Sequence, residues 1–73
     1  MKNKIIQKFH ESIAMAIQLK LDISISYKND RLILNIDNKL FDILYPIEEL
    51  KRGFDIVELN KMIQVADYVL SRK

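Results

Sequence analysis

The residues with scope for catalytic or metal chemistry are one histidine and a few aspartates. His10 has neither a cysteine nor a second histidine to work with, and no Ser-His-Asp pattern includes it, so we interpret it as a surface or boundary residue. Asp22, Asp37 and Asp42 are expected on the outer face of a predicted sheet, where paired carboxylates can raise a pKa or hold a divalent cation. Turns and strand ends explain these acids better, because no loop spaces several oxygens as an EF-hand does. We therefore expect no enzyme, no metal site and no cofactor.

Positive charge is the other feature with a chemical use, because lysine and arginine bind phosphate. Lys28 with Arg31, and Lys51 with Arg52, form two small basic spots. The chain has 12 Lys and Arg against 10 Asp and Glu, a net charge of +2, and the signs are interspersed. This balance is too mild to indicate nucleic-acid binding, and with Gly53 as the only glycine no glycine-rich phosphate loop can form. We interpret the basic spots as solvated turns and helix ends.

Three β-strands in residues 21–45 are the elements that would position most of these side chains. Asn29 and Asp30 tolerate the positive φ angles of a two-residue type I′ turn, which pairs Tyr27 with Leu32 in a hairpin. Because strand side chains alternate, the apolar residues of the three strands then share one face. This predicted inner face consists of Ile23, Ile25, Tyr27, Leu32, Leu34, Ile36, Phe41, Ile43 and Tyr45.

The second turn has two alternatives, Asp37-Asn38 or Asn38-Lys39, and both keep the third strand in the same parity. Residues of the opposite parity point to the outer face. Ile33 is expected there next to Leu44, with Leu40 nearby. Three aliphatic side chains on so small a face indicate a contact surface, and each would contribute about 1.5–3 kcal/mol if a partner buried it.

Helical periodicity flanks the strands. A first helix is predicted from Lys4 to about Gln18, and because no glycine marks its end we place the switch to strand near Lys20. Pro46 to Gly53, with acids early and bases late, predicts a short helix of one to two turns. The apolar stripe of the first helix consists of Ile6, Phe9, Ile13, Ala16 and Ile17.

The last helix has the clearest start signal. Asp55 is a predicted N-cap, Glu58 three residues later completes a capping box, and Phe54 with Leu59 forms a hydrophobic staple. Its predicted apolar stripe consists of Ile56, Leu59, Met62, Ile63, Ala66, Val69 and Leu70. The residues predicted to face solvent are Glu58, Lys61, Gln64, Asp67 and Arg72.

These elements predict one compact α+β domain over residues 1–73, in the order α-β-β-β-α-α. A three-stranded antiparallel meander would carry the helices on one face, because its apolar face must be covered. The absence of cysteine fits a reducing interior as well as any other compartment, and the N-terminus has no apolar signal core. No stretch approaches the roughly 20 apolar residues of a membrane span, so we expect a cytoplasmic protein without membrane contact.

The element order resembles that of the double-stranded-RNA-binding domain over most of the chain. The resemblance implies RNA binding by basic residues at the start of the last helix. This chain departs from that pattern, because the corresponding residues 55–58 are Asp-Ile-Val-Glu, which would repel phosphate. All three candidate stacking residues, Tyr27, Phe41 and Tyr45, belong to the inner face, so the outer face is not a base-stacking platform.

A non-catalytic protein-binding module is therefore the function that the sequence favours. We expect an inhibitor or accessory protein of a phage, plasmid or other mobile element, since the composition indicates an AT-rich genome and the element order resembles that of some small phage-encoded anti-CRISPR inhibitors. It would cover a surface of a larger protein, and a homodimer is a further expectation. The expected contact residues are Ile33, Leu40 and Leu44. The alternative is a nucleic-acid-binding regulator that uses Lys28, Arg31, Lys51, Arg52 and the Arg72-Lys73 tail.

Overall fold

A computed structural model describes residues 2–46 and 54–72 of the chain. Within these ranges the elements are α1 (Lys2–Gln18), β1 (Ile23–Lys28), β2 (Arg31–Ile36), β3 (Lys39–Leu44) and α2 (Ile56–Leu70). The strands form one antiparallel sheet in the order β1-β2-β3, which confirms the predicted α+β fold. The short helix predicted over residues 46–53 falls almost entirely on positions 47–53, outside the described residues.

Two-residue turns set the register of the whole sheet. Asn29 and Asp30 have φ angles of 52° and 62°, and the resulting hairpin pairs Tyr27 with Leu32 as predicted. The second turn uses the first of its two alternatives, Asp37-Asn38, and pairs Ile36 with Lys39. Both turns thus have the two consecutive positive φ angles of type I′, which Asn and Asp tolerate.

The end of α1 is fixed by a Schellman motif, although no glycine is present. Lys20 has a φ of 60°, its amide donates to the Ile17 carbonyl at 3.1 Å, and the next amide, of Leu21, donates to the Ala16 carbonyl at 3.0 Å. These two bonds satisfy carbonyls that the helix end would otherwise leave without partners. The predicted switch near Lys20 is confirmed.

The core lies between the helices and the inner face of β2 and β3. The inner face is less completely covered than predicted, because α2 packs against α1 and β3 while β1 remains at the open side. Ile25 and Tyr27 therefore keep 48% and 43% of their surface exposed, and Ile17 of α1 is exposed as well. The buried cluster consists of Phe9, Ala16, Leu34, Ile36, Phe41, Ile43, Phe54, Leu59, Met62, Val65 and Val69.

Helix α2 is rotated relative to its predicted apolar stripe. Val65 is fully buried although it was not assigned to the stripe, whereas Ile56, Ile63 and Leu70 at the stripe margins are exposed. Glu58 was predicted to face solvent and is instead buried at 8% exposure. The sequence defines the width of an apolar stripe, but the neighbours decide which part of that width is covered.

The capping box at the start of α2 is a wrong prediction. Asp55 occupies the N-cap position with an extended backbone, but its side chain makes no cap hydrogen bond. Glu58 turns away from the helix start, and its Oε1 accepts the backbone N–H of Leu44 in β3 at 2.6 Å. Lys61 joins this contact, since its Nζ donates to the Asp42 carbonyl at 2.9 Å and lies 3.4 Å from Glu58 Oε1. The start of α2 was predicted correctly, but Glu58 connects the helix to the sheet.

Candidate protein-binding site

The outer face of the sheet is the surface of β1, β2 and β3 that points away from the core cluster. The strand residues in that cluster all belong to the inner parity, so the outer parity is left without a helical layer among the described residues. The residues of the outer face are Ser24, Ser26, Lys28, Arg31, Ile33, Asn35, Leu40, Asp42 and Leu44.

Three aliphatic side chains occupy the outer face, at the positions predicted for them. Leu40 is 64% exposed and Leu44 is 40% exposed, while Ile33 is partly buried by its neighbours. Ile33 pairs with Asp42 rather than lying opposite Leu44, because the Asp37-Asn38 turn sets the register. Leu40 and Leu44 are therefore its two diagonal neighbours on β3, within reach of long side chains.

One ion pair crosses the same face. Arg31 Nε donates to Asp42 Oδ1 at 2.8 Å, and both side chains are 43% exposed. The Asp42 carboxylate thus pairs with Arg31, one of the cations assigned to the nucleic-acid alternative. Lys28 is exposed at the end of β1, and Lys51 and Arg52 lie outside the described residues. The described part of the outer face thus combines apolar and neutral polar groups with the Arg31–Asp42 ion pair and the exposed Lys28.

Comparison with known proteins supplies no relative from which a function could be carried over. No family model, curated protein or solved structure matches the chain.

The aspartates that could have formed an acidic site bind different groups instead. Asp22 and Asp37 are adjacent, because the Asp37 N–H donates to the Asp22 carbonyl at 2.7 Å and the Asp22 N–H donates to Asp37 Oδ1 at 3.3 Å. Asp42 binds Arg31, and Asp37 is turned toward α2 rather than to the outer face, where it was predicted. Its Oδ2 accepts the hydroxyl of Tyr68 at 3.1 Å and lies 3.4 Å from Arg72 Nη2. Within residues 2–46 and 54–72, no three His, Asp or Glu side chains come together as metal ligands.

Tyr68 is part of the same contact between the second turn and α2. Partial burial raises the pKa of its hydroxyl, and the hydrogen bond to Asp37 and the negative charge of that carboxylate raise the pKa further. The hydroxyl therefore stays protonated and donates to Asp37 throughout the physiological pH range. Asp37 acts here as a structural link that holds the second turn against α2.

An open groove on the inner side was not predicted from the sequence. It has a volume of about 340 Å³ and is lined by Phe9, His10, Ile13, Tyr27, Leu32 and Tyr45. His10 Nε2 and the Tyr45 hydroxyl lie 2.9 Å apart and share a hydrogen bond, and burial raises the pKa of Tyr45. The groove exists because the helices leave the β1 side of the inner face partly open, which no local sequence signal indicates.

The described helices show no membrane-spanning segment. None of them is both long enough and apolar enough to cross a bilayer.

Proposed function

We propose that this chain is a non-catalytic protein-binding module whose outer face covers a surface of a larger protein. The observation that carries the proposal is the cluster of Ile33, Leu40 and Leu44 on a sheet face that no described helix covers. An uncovered sheet face with several aliphatic side chains is typical of a contact surface. As the biological setting we propose an inhibitor or accessory protein of a mobile element that acts in the cytoplasm, on the basis of composition and element order.

Leu40 and Leu44 would act as the anchors of this contact. They are 64% and 40% exposed in the isolated chain, so a partner can bury only these remaining fractions. Scaled from the value for a fully exposed side chain, the gain is roughly 1–2 kcal/mol for Leu40 and about 0.6–1.2 kcal/mol for Leu44. Polar groups border the anchors, with Asn35 opposite Leu40 and Arg31 opposite Leu44. An apolar centre with a polar rim is the usual anatomy of a protein interface.

Nucleic-acid binding is the alternative, and the electrostatics of the described residues support it less. Arg31 is engaged by Asp42, and the start of α2 carries Asp55 and the buried Glu58. Phosphate binding needs unpaired cations, because affinity comes largely from neutralising the backbone charge. Lys28 would be the principal described cation of such a site.

The test compares two substitutions of equally exposed aliphatic residues. Leu40 on the outer face and Ile56 at the start of α2 are 64% and 66% exposed, so Leu40→Glu and Ile56→Glu add the same charge at matched exposure. Each variant and the unaltered chain are immobilised on a resin and incubated with an extract of the source cells. The bound proteins are then quantified by mass spectrometry. We expect a protein that is retained by the unaltered chain and by Ile56→Glu but not by Leu40→Glu.

Binding of that protein, once purified, is then measured by calorimetry. Leu40→Glu should weaken it at least tenfold, which corresponds to about 1.4 kcal/mol. Circular dichroism must show both variants to be folded. Equal retention by all three baits would contradict the assignment of the outer face.

A further inference from the structure

The two edges of the sheet differ in how their backbone groups are satisfied. On β3 the outward N–H of Leu44 is bound by Glu58 and the outward carbonyl of Asp42 is bound by Lys61, so side chains of α2 close this edge. On the other side, β1 pairs with β2 among the described strands, and no described residue binds the backbone of Ile25 on the edge side. Proteins usually protect an edge strand with a proline, a bulge or a charge. Residues 23–27 of β1 have none of these.

The first turn determines which groups of β1 point outward. In a two-residue hairpin the residues that flank the turn, Lys28 and Arg31, form a hydrogen-bonded pair, and the bonded residues then alternate along the strand. Ser26 and Ser24 therefore bind β2. Ile25 lies between them, so its N–H and C=O point to the edge.

We propose that two copies of this chain pair through their β1 edges, antiparallel about a two-fold axis at Ile25. In a hydrogen-bonded antiparallel pair, two opposite residues each donate their N–H to the other's C=O. Because both groups of Ile25 point to the edge, Ile25 of one copy can form such a pair with Ile25 of the other. A two-fold contact of this kind closes after two copies.

The sequence of β1 is self-complementary in this register. Counting outward from the axis, Ser24 lies opposite Ser26 of the second copy, and Asp22 lies opposite Lys28 of the second copy. The axis repeats each pairing, so the dimer contains two Asp22–Lys28 contacts. Both residues are exposed, and neither forms an ion pair with another described residue in the single chain. This charge complementarity selects a second copy as the occupant of the edge.

The pairing also accounts for the exposure of the inner side at β1. The side chain of Ile25, 48% exposed in the single chain, would meet its symmetry mate and lose water contact. The outer faces of the two copies would become one continuous six-stranded surface that displays Ile33, Leu40 and Leu44 twice. The contact is small, so we expect dissociation in the micromolar range. This inference does not depend on the outer-face contact proposed above.

Sedimentation equilibrium of the full chain over a concentration series tests the pairing. We expect reversible conversion from monomer to dimer. Asp22→Lys and Lys28→Asp each place like charges opposite one another twice, so each should weaken the dimer roughly tenfold. The double variant, with both exchanges, restores opposite charges and should recover most of the lost affinity. Leu40→Glu should leave the dimer unchanged, which separates this contact from the outer face.

A cross-linking experiment tests the register without relying on charge. The chain has no cysteine, so Ser24→Cys and Ser26→Cys each introduce a single thiol. Mixed under oxidising conditions, the two variants should form the heterodimeric disulfide in preference to either homodimeric one, because Ser24 faces Ser26 across the axis. A folded monomer at all concentrations would overturn the proposal. A dimer whose affinity is unchanged by the charge exchanges would also overturn it, because the two copies would then meet through another surface.

Discussion

Glu58 shows how a residue with a familiar local role can be recruited by a distant element. Its position three residues after Asp55 is typical of a capping box. The structure uses its carboxylate for the Leu44 N–H of β3, at a distance of 2.6 Å. A backbone donor at the edge of a sheet that is covered by a helix has little access to water, so it needs a protein acceptor. The N–H groups at the start of α2 can bind water instead, so they do not need the Glu58 carboxylate.

This geometry predicts unequal effects for Glu58→Ala and Asp55→Ala. Removing the Glu58 side chain deprives Leu44 of its acceptor, which should lower the free energy of unfolding by about 1–3 kcal/mol. Removing the Asp55 side chain breaks no cap hydrogen bond and loses only a favourable charge at the helix start. This should lower the free energy of unfolding by about 0.3–1 kcal/mol. Urea denaturation of both variants gives the comparison. Equal losses would mean that a capping box operates in solution.

Helix α1 ends in a Schellman motif that has Lys20 at the position where glycine is usual. Lys20 adopts the left-handed conformation at a φ of 60°, which costs a residue with a Cβ more than glycine. Lys20→Gly should therefore raise the free energy of unfolding by about 0.5–1 kcal/mol. Lys8→Gly, at an exposed position inside α1, is the matched control and should lower it by about 1 kcal/mol. The signs of the two shifts in urea midpoint decide whether the Schellman motif is formed.

Adjacent residues of strand β2 belong to opposite faces of the sheet, so substitutions at neighbouring positions should have different effects. Leu34 is fully buried between the sheet and the helices, whereas Ile33 lies on the outer face. Leu34→Glu would bury a carboxylate without a partner, so we expect an unfolded or molten chain. Ile33→Glu should remain folded. Circular dichroism and thermal unfolding of the two variants provide the readout, and the reverse result would invalidate the register.

The whole molecule has a mild and interspersed charge, and this limits what it can bind. With a net charge of +2 and Arg31 engaged by Asp42, we expect weak and non-specific affinity for nucleic acid. Fluorescence anisotropy with labelled duplex DNA, duplex RNA and single-stranded RNA at physiological salt measures this affinity. Sub-micromolar binding of any of the three would favour the nucleic-acid regulator over the protein-binding module.

The short-range features of this fold were predictable because each depends on residues a few positions apart. Asn29-Asp30 specified the first hairpin and its register, and the parity of β3 followed from either permitted second turn. The hydrophobic pattern left the choice between the two turns open, because both keep the parity of β3. The positive φ angles of a type I′ turn favour Asp37-Asn38 over Asn38-Lys39, since Lys tolerates them less well than Asp. That choice moved the partner of Ile33 from Leu44 to Asp42, and with it the arrangement of the candidate site.

The sequence by itself determined the order of the described elements, the first hairpin, the start of α2, and the side of the sheet on which each strand residue lies. These follow from turn conformations and from the two-residue period of a strand. Only the tertiary structure decided that β1 stays open, that α2 buries Val65 rather than Ile56, and that Glu58 closes the β3 edge. Burial depends on where the helices rest on the sheet, which is a sum over contacts between residues distant in the chain, so no local pattern can specify it.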